Sequence, residues 1–365
     1  MSKVYFASLR LTGGECIADK LKRLIRAAGI GKIDFRQKFV AVKVHFGEEG
    51  NLAFLRADYA RAVIEVIRSL GGKPFVTDAN TMYVGSRRNA LDHLDTAYRH
   101  GYNPLSLAGC HAIIADGLKG TDDVLVPIDG EFVKTAKIAR AIMDADVLVS
   151  LTHFKGHEGT GFGGTLKNIG MGSGSARGKA EMHESEKPAA DRELCTACGI
   201  CRDNCAHQAI GIEDFAHVNY DRCVGCGRCI GVCPTKAMRP IAENGCEMLA
   251  RKVAEYTYAV CRGRPSFHVS LIVDVSPFCD CYGVSDAPVI PDVGMLASFD
   301  PVALDKACAD LANRQHAIAD SYLGEKTPSG DHFRTMHPDT NWEAGIEQAE
   351  KVGLGSAKYE LIDIG

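Results

Sequence analysis

The sequence of 365 residues predicts an α/β fold, a mostly parallel sheet layered with helices and interrupted by a small α+β module. Short β-branched runs alternate with helical stretches up to about residue 185, a pattern typical of a parallel sheet. A cysteine-rich segment breaks this alternation at 187–240, and the earlier pattern resumes after it. We therefore expect one α/β domain, residues 1–186 plus 241–365, with a module inserted at 187–240.

The first part of the chain supplies the clearest strand and helix patterns. A first strand is expected within residues 1–16, and further strands are expected at 39–46, 73–79, 111–117 and 145–154. The clearest helix covers 55–70, where apolar residues recur at helical spacing. Gly71 and Gly72 follow this stretch and end the helix.

After the module, the same two patterns return. A helix is expected near 243–261, a strand at 267–276, and a helix at 301–313 that begins with the sequence Asp300-Pro301. Within the module, two short hydrophobic pieces occupy 209–212 and 217–220. Three consecutive domains are the alternative to an insertion, but about 125 residues at the C-terminus would then need a core of their own with few clear elements.

Composition and charge exclude several classes of function. The chain has 42 Lys and Arg against 46 Asp and Glu, so its charge does not favour nucleic acid or a membrane surface as a partner. The N-terminus does not resemble a signal peptide, and no apolar run approaches the roughly 20 residues that span a bilayer. We expect a soluble, cytoplasmic protein, in which clustered Cys-x-x-Cys motifs bind metal more often than they form disulfides.

Eight of the fifteen cysteines form two runs with the same spacing, Cys-x2-Cys-x2-Cys-x3-Cys. A [4Fe-4S] cluster takes four thiolates, and in two-cluster proteins the fourth cysteine of each run ligates the other cluster. The ligands are therefore expected to be Cys195, Cys198, Cys201 and Cys233 for one cluster, and Cys223, Cys226, Cys229 and Cys205 for the other. The third Cys-x-x step argues against a zinc ribbon, and disulfides are the remaining alternative.

The two runs resemble the bacterial two-cluster ferredoxin module, with agreement at eight positions in two copies. They depart from it at Ala206, where the family usually has proline. The resemblance implies electron transfer at low potential. Residues 187–240 contain seven basic and six acidic side chains, and this balance favours a module that serves its own host domain over a diffusing carrier.

A glycine-rich stretch at 152–183 is the first candidate site in the α/β domain. It begins where the strand ends, and in open α/β sheets ligands bind at the carboxyl ends of strands. Glycines let the backbone approach a ligand, and exposed N–H groups next to lysines can form a nest for an anion. The candidate cofactor-binding residues are His153, Lys155, His157, Gly163, Gly164, Lys167 and Asn168. A mobile surface loop, or histidines that only form hydrogen bonds, are the alternatives.

A second candidate site is the sequence DVSPFCDCYG at 274–283, which follows another predicted strand. Cys279, Asp280 and Cys281 suit an additional transition metal or an exchangeable redox pair. Because a Cys-x-Cys disulfide is strained, metal ligation is the preferred interpretation, and two buried structural thiols are the alternative. Other polar residues at strand ends suggest one shared cleft; they are His45, Glu48, Asp78, Asn80, Tyr83 and Arg87.

These motifs together identify a resemblance that covers nearly the whole chain. The sequences KVHFGEEGN, DANTMYVGSRRNA, THFKGHEGTGFGGTLKNIGMGSGSARGK, CDCYG and DVGMLASFDPVALDKACADL, with the double cysteine run, resemble the DUF362 family of prokaryotic iron–sulfur proteins. The resemblance implies cluster binding in a prokaryote with anaerobic metabolism, and implies no reaction. The α/β part is also similar, more distantly, to the nickel-dependent lactate racemase group, an analogy of fold from which no chemistry follows.

Three functions are compatible with these observations. The first is an oxidoreductase or reductive activator, in which electrons from a redox partner protein pass through two [4Fe-4S] clusters to a metal, cofactor or anionic small molecule in the cleft. The second is a non-catalytic electron carrier or cluster-bearing scaffold that docks a partner protein. The third is a metal-handling protein that uses Cys279, Cys281 and the histidines.

Overall fold

The computed structural model describes residues 1–10, 13–83, 85–205, 207–223, 225, 227–242, 244–326 and 330–365. Two residues of interest in the module, Ala206 and Cys226, lie outside this range. Within the described residues no helix combines the length and the apolar composition that a membrane crossing requires.

The described residues form sixteen strands. In chain order these are β1 (Ser2–Ser8), β2 (Phe39–Lys43), β3 (Lys73–Asp78), β4 (Ala112–Ile114), β5 (Asp123–Pro127), β6 (Thr135–Ala139), β7 (Val147–His153), β8 (Lys155–His157), β9 (Gly161–Gly163), β10 (Pro188–Ala190), β11 (Ile210–Ile212), β12 (Ala216–Val218), β13 (Met238–Pro240), β14 (Ser266–Ile272), β15 (Gly294–Ser298) and β16 (Tyr359–Asp363).

The same residues form twelve α-helices, together with short 3-10 helices at Ile30–Lys32 and Glu184–Glu186. In chain order the α-helices are α1 (Ile17–Ala27), α2 (Ala57–Ser69), α3 (Ala90–Arg99), α4 (Arg140–Asp144), α5 (Thr165–Ser173), α6 (Ala176–His183), α7 (Ile200–Asp203), α8 (Arg228–Gly231), α9 (Gly245–Cys261), α10 (Pro301–Asn313), α11 (His332–Met336) and α12 (Trp342–Lys351).

Eight strands form one mixed sheet in the order β16-β1-β15-β14-β7-β2-β3-β4. The pairs from β14 through β7, β2 and β3 to β4 are all parallel, as is the β1–β16 pair. Strand β15 runs antiparallel to both of its neighbours, β1 and β14. The predicted fold class is therefore confirmed: a mostly parallel sheet with helices packed against it.

Helices cover both faces of this sheet because its strands alternate between two hydrophobic clusters. On β7, Val147, Val149 and Leu151 pack with α1 and α2 on one face. Leu148 points to the other face and packs with α5 and α9. Towards the β1 edge, α10 covers that second face, so the molecule has three layers.

Each strand predicted before and after the cysteine-rich segment is present, but several end earlier than the sequence indicated. The run 39–46 is a strand only over Phe39–Lys43, and the run 267–276 only over Ser266–Ile272. The chain leaves the sheet at these points, and His45 and Cys281, which follow the two strands, line the cleft described below. The predicted helix after Asp300 is also present as α10. The Asp300 carboxylate caps it by accepting hydrogen bonds from the N–H groups of Val302 and Ala303, at 2.9 and 3.0 Å.

The cysteine-rich segment begins and ends with a pair of strands. Strand β10 pairs with β13, and β11 pairs with β12, both antiparallel. Helices α7 and α8 each follow a glycine in the left-handed region, Gly199 with φ of 80° and Gly227 with φ of 69°, so the two halves repeat one another. The main sheet takes strands from both sides of this segment. The division into an inserted module and one host domain stays a prediction.

Candidate functional site

A cleft of about 160 Å³ lies at the carboxyl ends of the parallel strands β2, β3 and β7. The glycine-rich stretch, the Cys-x-Cys turn and the cysteine-rich module also contribute to its wall. All seven residues of the predicted cofactor site line it: His153, Lys155, His157, Gly163, Gly164, Lys167 and Asn168. His45, Asp78, Tyr83 and Arg87 from the other strand ends line it as well.

The Cys-x-Cys sequence forms a tight turn, in which the Tyr282 N–H donates to the Cys279 carbonyl oxygen at 3.2 Å. Cys279 is fully buried and Cys281 is half-buried and lines the cleft. The Cys281 thiol donates a hydrogen bond to the Cys279 sulfur. The Lys167 ammonium group lies 3.6 Å from the same sulfur. The Cys279 sulfur therefore accepts a hydrogen bond from a thiol and lies beside a cation.

This environment favours the thiolate form of Cys279. The hydrogen bond from Cys281 lowers the pKa of Cys279 well below its usual value, Lys167 lowers it further, and burial opposes both. The same hydrogen bond raises the pKa of Cys281, which keeps its proton. Burial alone would lower the pKa of Lys167, but the two sulfurs and the Glu158 carboxylate raise it. The result is a buried thiolate–thiol pair beside a charged ammonium group.

Two histidines complete the surroundings of Cys279. The Nδ1 atom of His45 accepts a hydrogen bond from the Gly47 N–H at 2.8 Å. The Nδ1 atom of His157 accepts from the N–H groups of Gly159 and Thr160. A neutral imidazole that accepts at Nδ1 carries its proton on Nε2, and both side chains form a hydrogen bond with Cys279. His157 therefore acts as a donor to the thiolate, whereas Nε2 of His45 also lies 3.4 Å from the donor Arg87 Nη1.

This arrangement bears on the expected additional metal at Cys279 and Cys281. If Nε2 of His45 or His157 bound a metal, the ring would have to give up its remaining proton, because Nδ1 already accepts from the backbone. Among the described residues, no three His, Cys, Asp or Glu side chains come together as ligands of one metal ion. The hydrogen bonds favour a reactive thiolate over a metal site with these histidines.

His153 and Lys155 contact the carboxylate of the Cys-x-Cys turn. His153 Nδ1 lies 2.8 Å and Lys155 Nζ lies 3.2 Å from Asp280 Oδ2. The second nitrogen of His153, Nε2, faces the Val273 carbonyl oxygen at 2.8 Å. Burial opposes ionisation of Asp280, but His153 and Lys155 lower its pKa below the usual value. Both residues line the cleft, and their hydrogen bonds hold the cysteine turn in place.

Asn168 connects neighbouring strand ends. Its Nδ2 atom donates to the Leu151 carbonyl and the Thr152 hydroxyl, both at 3.0 Å, and its Oδ1 accepts from Lys43 Nζ at 3.0 Å. Lys43 is fully buried and pairs with Asp78 at 2.9 Å. Burial lowers the pKa of Lys43, with Asp78 acting in the opposite direction. This network fixes the floor of the cleft.

The glycine-rich stretch differs from its predicted role in one respect. The first amides of α5, those of Thr165 and Leu166, donate to the Asp305 carboxylate, so they do not form a nest for an anion. Gly164 is required there because an added Cβ would lie 2.5 Å from Asp305 Oδ1. Most residues of 152–175 are buried, so the alternative of a mobile surface loop is also wrong.

The strand-end residues Glu48 and Arg87 form a second buried pair, with 3.0 Å between Glu48 Oε2 and Arg87 Nε. Arg87 also donates to the Tyr83 hydroxyl at 3.1 Å and lies 3.9 Å from Asp78 Oδ2. Glu48 and Asn80, which the sequence also indicated, do not line the cleft. They hold neighbouring groups: Glu48 orients Arg87, and Asn80 donates to Asp116 at 2.9 Å.

The thiols assigned to the first cluster lie close together. Burial raises the pKa of Cys201, and repulsion from Cys195, Cys233 and Cys198 raises it further. Burial opposes ionisation of Cys233, but its sulfur receives hydrogen bonds from the amides of Thr235, Ala237 and Met238 and from the Thr235 hydroxyl, and these lower its pKa. Hydrogen bonds of this kind stabilise cluster thiolates. The four residues fit an iron–sulfur cluster.

The thiols assigned to the second cluster share a small cavity. Cys205, Cys223 and Cys229 all line it, and the Ala209 N–H lies 3.3 Å from the Cys205 sulfur. The fourth expected ligand, Cys226, lies outside the described residues. The last cysteine of the first run thus sits among those of the second run, an arrangement that fits a second iron–sulfur cluster.

The module packs directly against the cleft. Gly227 and Arg228 line both the cleft and the cavity of the second cysteine set. The Arg228 guanidinium stacks on Tyr282 at 4.4 Å and on Tyr83 at 5.8 Å, and its Nε atom has no hydrogen-bond partner among the described residues. Gly231 allows this approach, since an added Cβ would lie 2.1 Å from the Tyr282 hydroxyl.

Sequence reasoning did not assign roles in the cleft to Lys43, Arg228 or Tyr282, and it included Lys179 only as one of the lysines of the stretch 152–183. Lys43 lies in the sequence KVHFGEEGN and Tyr282 in DVSPFCDCYG, so their positions next to candidate residues could have indicated a role in the cleft. Burial lowers the pKa of Lys179 to about 8, which no local pattern indicates. Arg228 belongs to a cysteine run, and no pattern in the sequence shows which side of the module faces the cleft.

Three curated proteins match parts of the chain. A ferredoxin of Pyrobaculum islandicum is 29% identical over 75 residues, 20% of this chain and 70% of that protein. The pyruvate synthase subunit PorD of Thermotoga maritima is 43% identical over 61 residues, 16% of this chain and 62% of that protein. The subunit PorD of Methanothermobacter marburgensis is 32% identical over 82 residues, 22% of this chain and 95% of that protein. The chain therefore contains an iron–sulfur electron-transfer module of the ferredoxin type.

Two solved structures are similar over most of the chain at 12% sequence identity. One is the lactate racemase apoprotein of Thermoanaerobacterium thermosaccharolyticum, with a TM-score of 0.44; the match covers 99% of this chain and 82% of that protein. The other is a structural-genomics protein of Thermotoga maritima, with a TM-score of 0.42; the match covers 82% of this chain and 59% of that protein. Scores of this size carry no statement about ligand or reaction.

The family comparison covers both the cleft and the module. The family model described as "Domain of unknown function (DUF362)" matches residues 40–310, well over half of the chain. This range includes every strand end that lines the cleft and both cysteine runs. The chain belongs to the DUF362 family and carries within it a ferredoxin-like iron–sulfur module.

Proposed function

We propose that the module passes low-potential electrons to an acceptor bound in the strand-end cleft, a small anionic molecule, a cofactor or a metal. The observation that carries this proposal is the shared wall: Gly227 and Arg228 line both cavities. Electron transfer requires donor and acceptor to lie close together, and the packing of Gly231 against Tyr282 supports that proximity. The chain would then act as an oxidoreductase or a reductive activator.

Two [4Fe-4S] clusters are part of this proposal, one held by Cys195, Cys198, Cys201 and Cys233 and the other by Cys223, Cys226, Cys229 and Cys205. Bound there, such clusters take up and release single electrons. The neighbourhood of Cys201 and the cavity of the second set support this assignment. The repeated helices that follow Gly199 and Gly227 support the same number.

The charges of the cleft favour an anionic acceptor. Six basic residues line it, against three acidic residues. The basic residues are Lys43, Arg87, Lys155, Lys167, Lys179 and Arg228, and the acidic residues are Asp78, Glu158 and Asp339. Lys167 lies beside the Cys279 thiolate, and Arg228 stacks on two aromatic rings and forms no ion pair among the described residues, so both can contact a ligand. These two cations would orient the acceptor next to the module.

A redox partner protein would supply the electrons from outside. Cys198 is exposed, whereas Cys229 is buried beside the cleft. A partner would therefore dock near Cys198, and electrons would move from the first cysteine set to the second. Two of the matching relatives are named as subunits of pyruvate synthase, which supports a protein partner. We propose a cytoplasmic location in a prokaryote for this exchange.

A carrier without chemistry of its own is the alternative, favoured by the exposure of Cys198. Protein purified without oxygen distinguishes the two functions through its iron, its sulfide and the small molecules that unfolding releases. We expect iron and sulfide for two clusters, together with a released anionic compound. In Lys167→Met that compound should be lost while iron and sulfide stay unchanged.

The matched control is Lys32→Met, since Lys32 is exposed and does not line the cleft. It should retain the compound at the wild-type level. Iron and sulfide alone in the wild-type protein, with no released compound or additional metal, would support the carrier. A compound retained equally by Lys167→Met would contradict the assignment of the cleft.

A further inference from the structure

Binding a ligand in the cleft does not by itself require a reactive Cys279–Cys281 pair. Cys281 faces the cleft, and its thiol donates to the buried Cys279 thiolate. Three donors surround that thiolate: the Cys281 thiol, the Lys167 ammonium group and the Nε2–H group of His157. Such donors stabilise the reduced form of a dithiol, as they do in oxidoreductases that use paired cysteines.

The turn itself favours a reversible redox pair. A disulfide between cysteines separated by one residue closes a small strained ring, and strained disulfides are the labile or catalytic ones because their potentials are more oxidising. Low-potential electrons therefore flow into such a disulfide favourably. Asp280, held by His153 and Lys155, anchors the turn in both states.

Resting on the proposed function, we propose that Cys279 and Cys281 form a dithiol–disulfide couple that reduces a small anionic disulfide in the cleft. The couple is then restored with electrons from the iron–sulfur module. Cys281 is the attacking residue because it lines the cleft, and Cys279 is the resolving residue because it is buried behind Cys281.

The exchange balances in two steps. The Cys281 sulfur attacks one sulfur of the substrate while its proton moves to the Cys279 thiolate. The substrate's sulfur–sulfur bond breaks, and one thiolate leaves. The Cys279 sulfur then attacks the Cys281 sulfur, passes its proton to the second departing sulfur and closes the disulfide. One thiolate and one thiol have become a disulfide, and the substrate has become one thiolate and one thiol.

The return step is a two-electron reduction. The Cys279–Cys281 disulfide takes up two electrons and one proton, which regenerates the Cys279 thiolate and the Cys281 thiol. The iron–sulfur module is the source of the electrons, one at a time. Lys167, at 3.6 Å from the Cys279 sulfur, stabilises the thiolate as it forms.

The basic lining of the cleft sets the class of substrate. In this cavity of about 160 Å³, Lys43, Arg87 and Lys155 pair with carboxylates, whereas Lys167 and Arg228 form no ion pair with a carboxylate among the described residues. These two cations favour a compact disulfide with negative end groups over one with positive end groups. Dithiodipropionate and cystamine test this directly, because the first is a dianion, the second is a dication, and their chains have the same length.

The experiment treats anaerobically purified, reduced protein with each probe, blocks remaining thiols after unfolding and weighs the peptide that spans 279–281. We expect dithiodipropionate to convert this peptide to its internal disulfide, two hydrogen atoms lighter, at least about 10-fold faster than cystamine does. Cys110→Ala, which removes a buried thiol outside the cleft, should react like the wild-type protein. A peptide that keeps both thiols free would overturn the couple, and equal rates would overturn the anionic class.

A trapped intermediate tests the order of the two cysteines. In Cys279→Ser, Cys281 has no resolving partner, so the probe should remain attached to Cys281 as a mixed disulfide of one added mercaptopropionate group. Attachment of the probe to Cys279 in Cys281→Ser, with none to Cys281 in Cys279→Ser, would reverse the assigned roles.

The return step separates this inference from the proposed function. After the probe is removed, reduction of the module should restore both thiols in the wild-type protein. In Cys223→Ser, which lacks one cluster ligand, recovery should slow at least about 10-fold. Equal recovery in Cys223→Ser would contradict electron delivery to the cleft and leave the couple standing. Failure to form the disulfide would contradict the couple and leave electron delivery standing.

Discussion

At the scale of single residues, the cleft depends on charged groups that are buried in pairs. Lys43 pairs with Asp78, Arg87 pairs with Glu48, and Asp280 pairs with two cationic side chains. Buried charges are tolerated only when they are paired and hydrogen-bonded. The polar side chains around Cys279 are therefore held in fixed positions, and loss of one partner leaves an unpaired buried charge.

Lys43→Met tests this dependence. It leaves the Asp78 carboxylate, which is 3% exposed, without its nearest cation, and we expect the free energy of unfolding to fall by about 3–5 kcal/mol. Urea unfolding of the anaerobic protein measures the change. Arg36→Met is the control, because Arg36 pairs with Asp34 on the surface, where a pair contributes about 0–1 kcal/mol. Equal losses in both variants would contradict the structural role of Lys43.

At the scale of elements, the contact between α8 and the Cys-x-Cys turn joins the cysteine-rich segment to the cleft. Gly231 at the end of α8 lies against Tyr282, and His207 binds the Met82 carbonyl oxygen at 2.9 Å. These contacts position Arg228 between two aromatic rings at the cleft. The proposed electron delivery to the cleft depends on this packing.

Gly231→Ala should disturb that packing. The added methyl group would lie 2.1 Å from the Tyr282 hydroxyl, so we expect unchanged iron content and a loss of about 1–3 kcal/mol in the free energy of unfolding. Gly211→Ala in β11 is the control, because nothing lies within 4 Å of its added methyl group. Iron analysis and urea unfolding measure both effects. Identical stability of the two variants would show that α8 does not press on the turn.

At the scale of the whole molecule, sequence patterns predicted the layers of the fold because strand and helix periods are local. The parallel strands and the helices at 55–70 and 301–313 follow from such patterns. The antiparallel strand β15 and the edge strand β16 were not predicted, since their pairing is with distant parts of the chain.

Local sequence patterns also predicted one part of the candidate site and missed another part. Polar residues at strand ends predicted a shared cleft, because parallel strands bring their carboxyl ends to one edge. The Asp305 carboxylate on the first amides of α5 comes from about 140 residues away, so no local pattern could exclude the predicted nest. The proton positions of His45 and His157 depend on backbone amides that only the folded turn supplies.

Buried neutral histidines contribute to the pH dependence of the whole fold. Burial lowers the pKa of His268 from 6.5 to about 3, and lowers those of His93 and His337 to about 4. Below pH 6.5 the unfolded chain takes up protons that the folded chain does not, so acidification favours unfolding. The contribution of these histidines to stability is therefore full above this pH and is lost progressively as the pH falls toward 3.

His268→Asn should reduce this dependence. Between pH 6.5 and 5, each such histidine accounts for a loss of roughly 2 kcal/mol in the free energy of unfolding. Urea unfolding at the two pH values should give a smaller loss in His268→Asn by about that amount, while the exposed variant His217→Asn keeps the wild-type loss. An unchanged loss in His268→Asn would mean that His268 is protonated in the folded protein.

Electron delivery from the module to the cleft is the central claim, and an anaerobic reductive titration tests it most directly. The measurement compares the reducing equivalents that the purified protein takes up with the number of clusters given by its iron content. Clusters alone accept about one electron each. We predict an uptake that exceeds this number in the wild-type protein, because an acceptor in the cleft is reduced as well. An uptake equal to the number of clusters would contradict the account and identify the protein as a carrier.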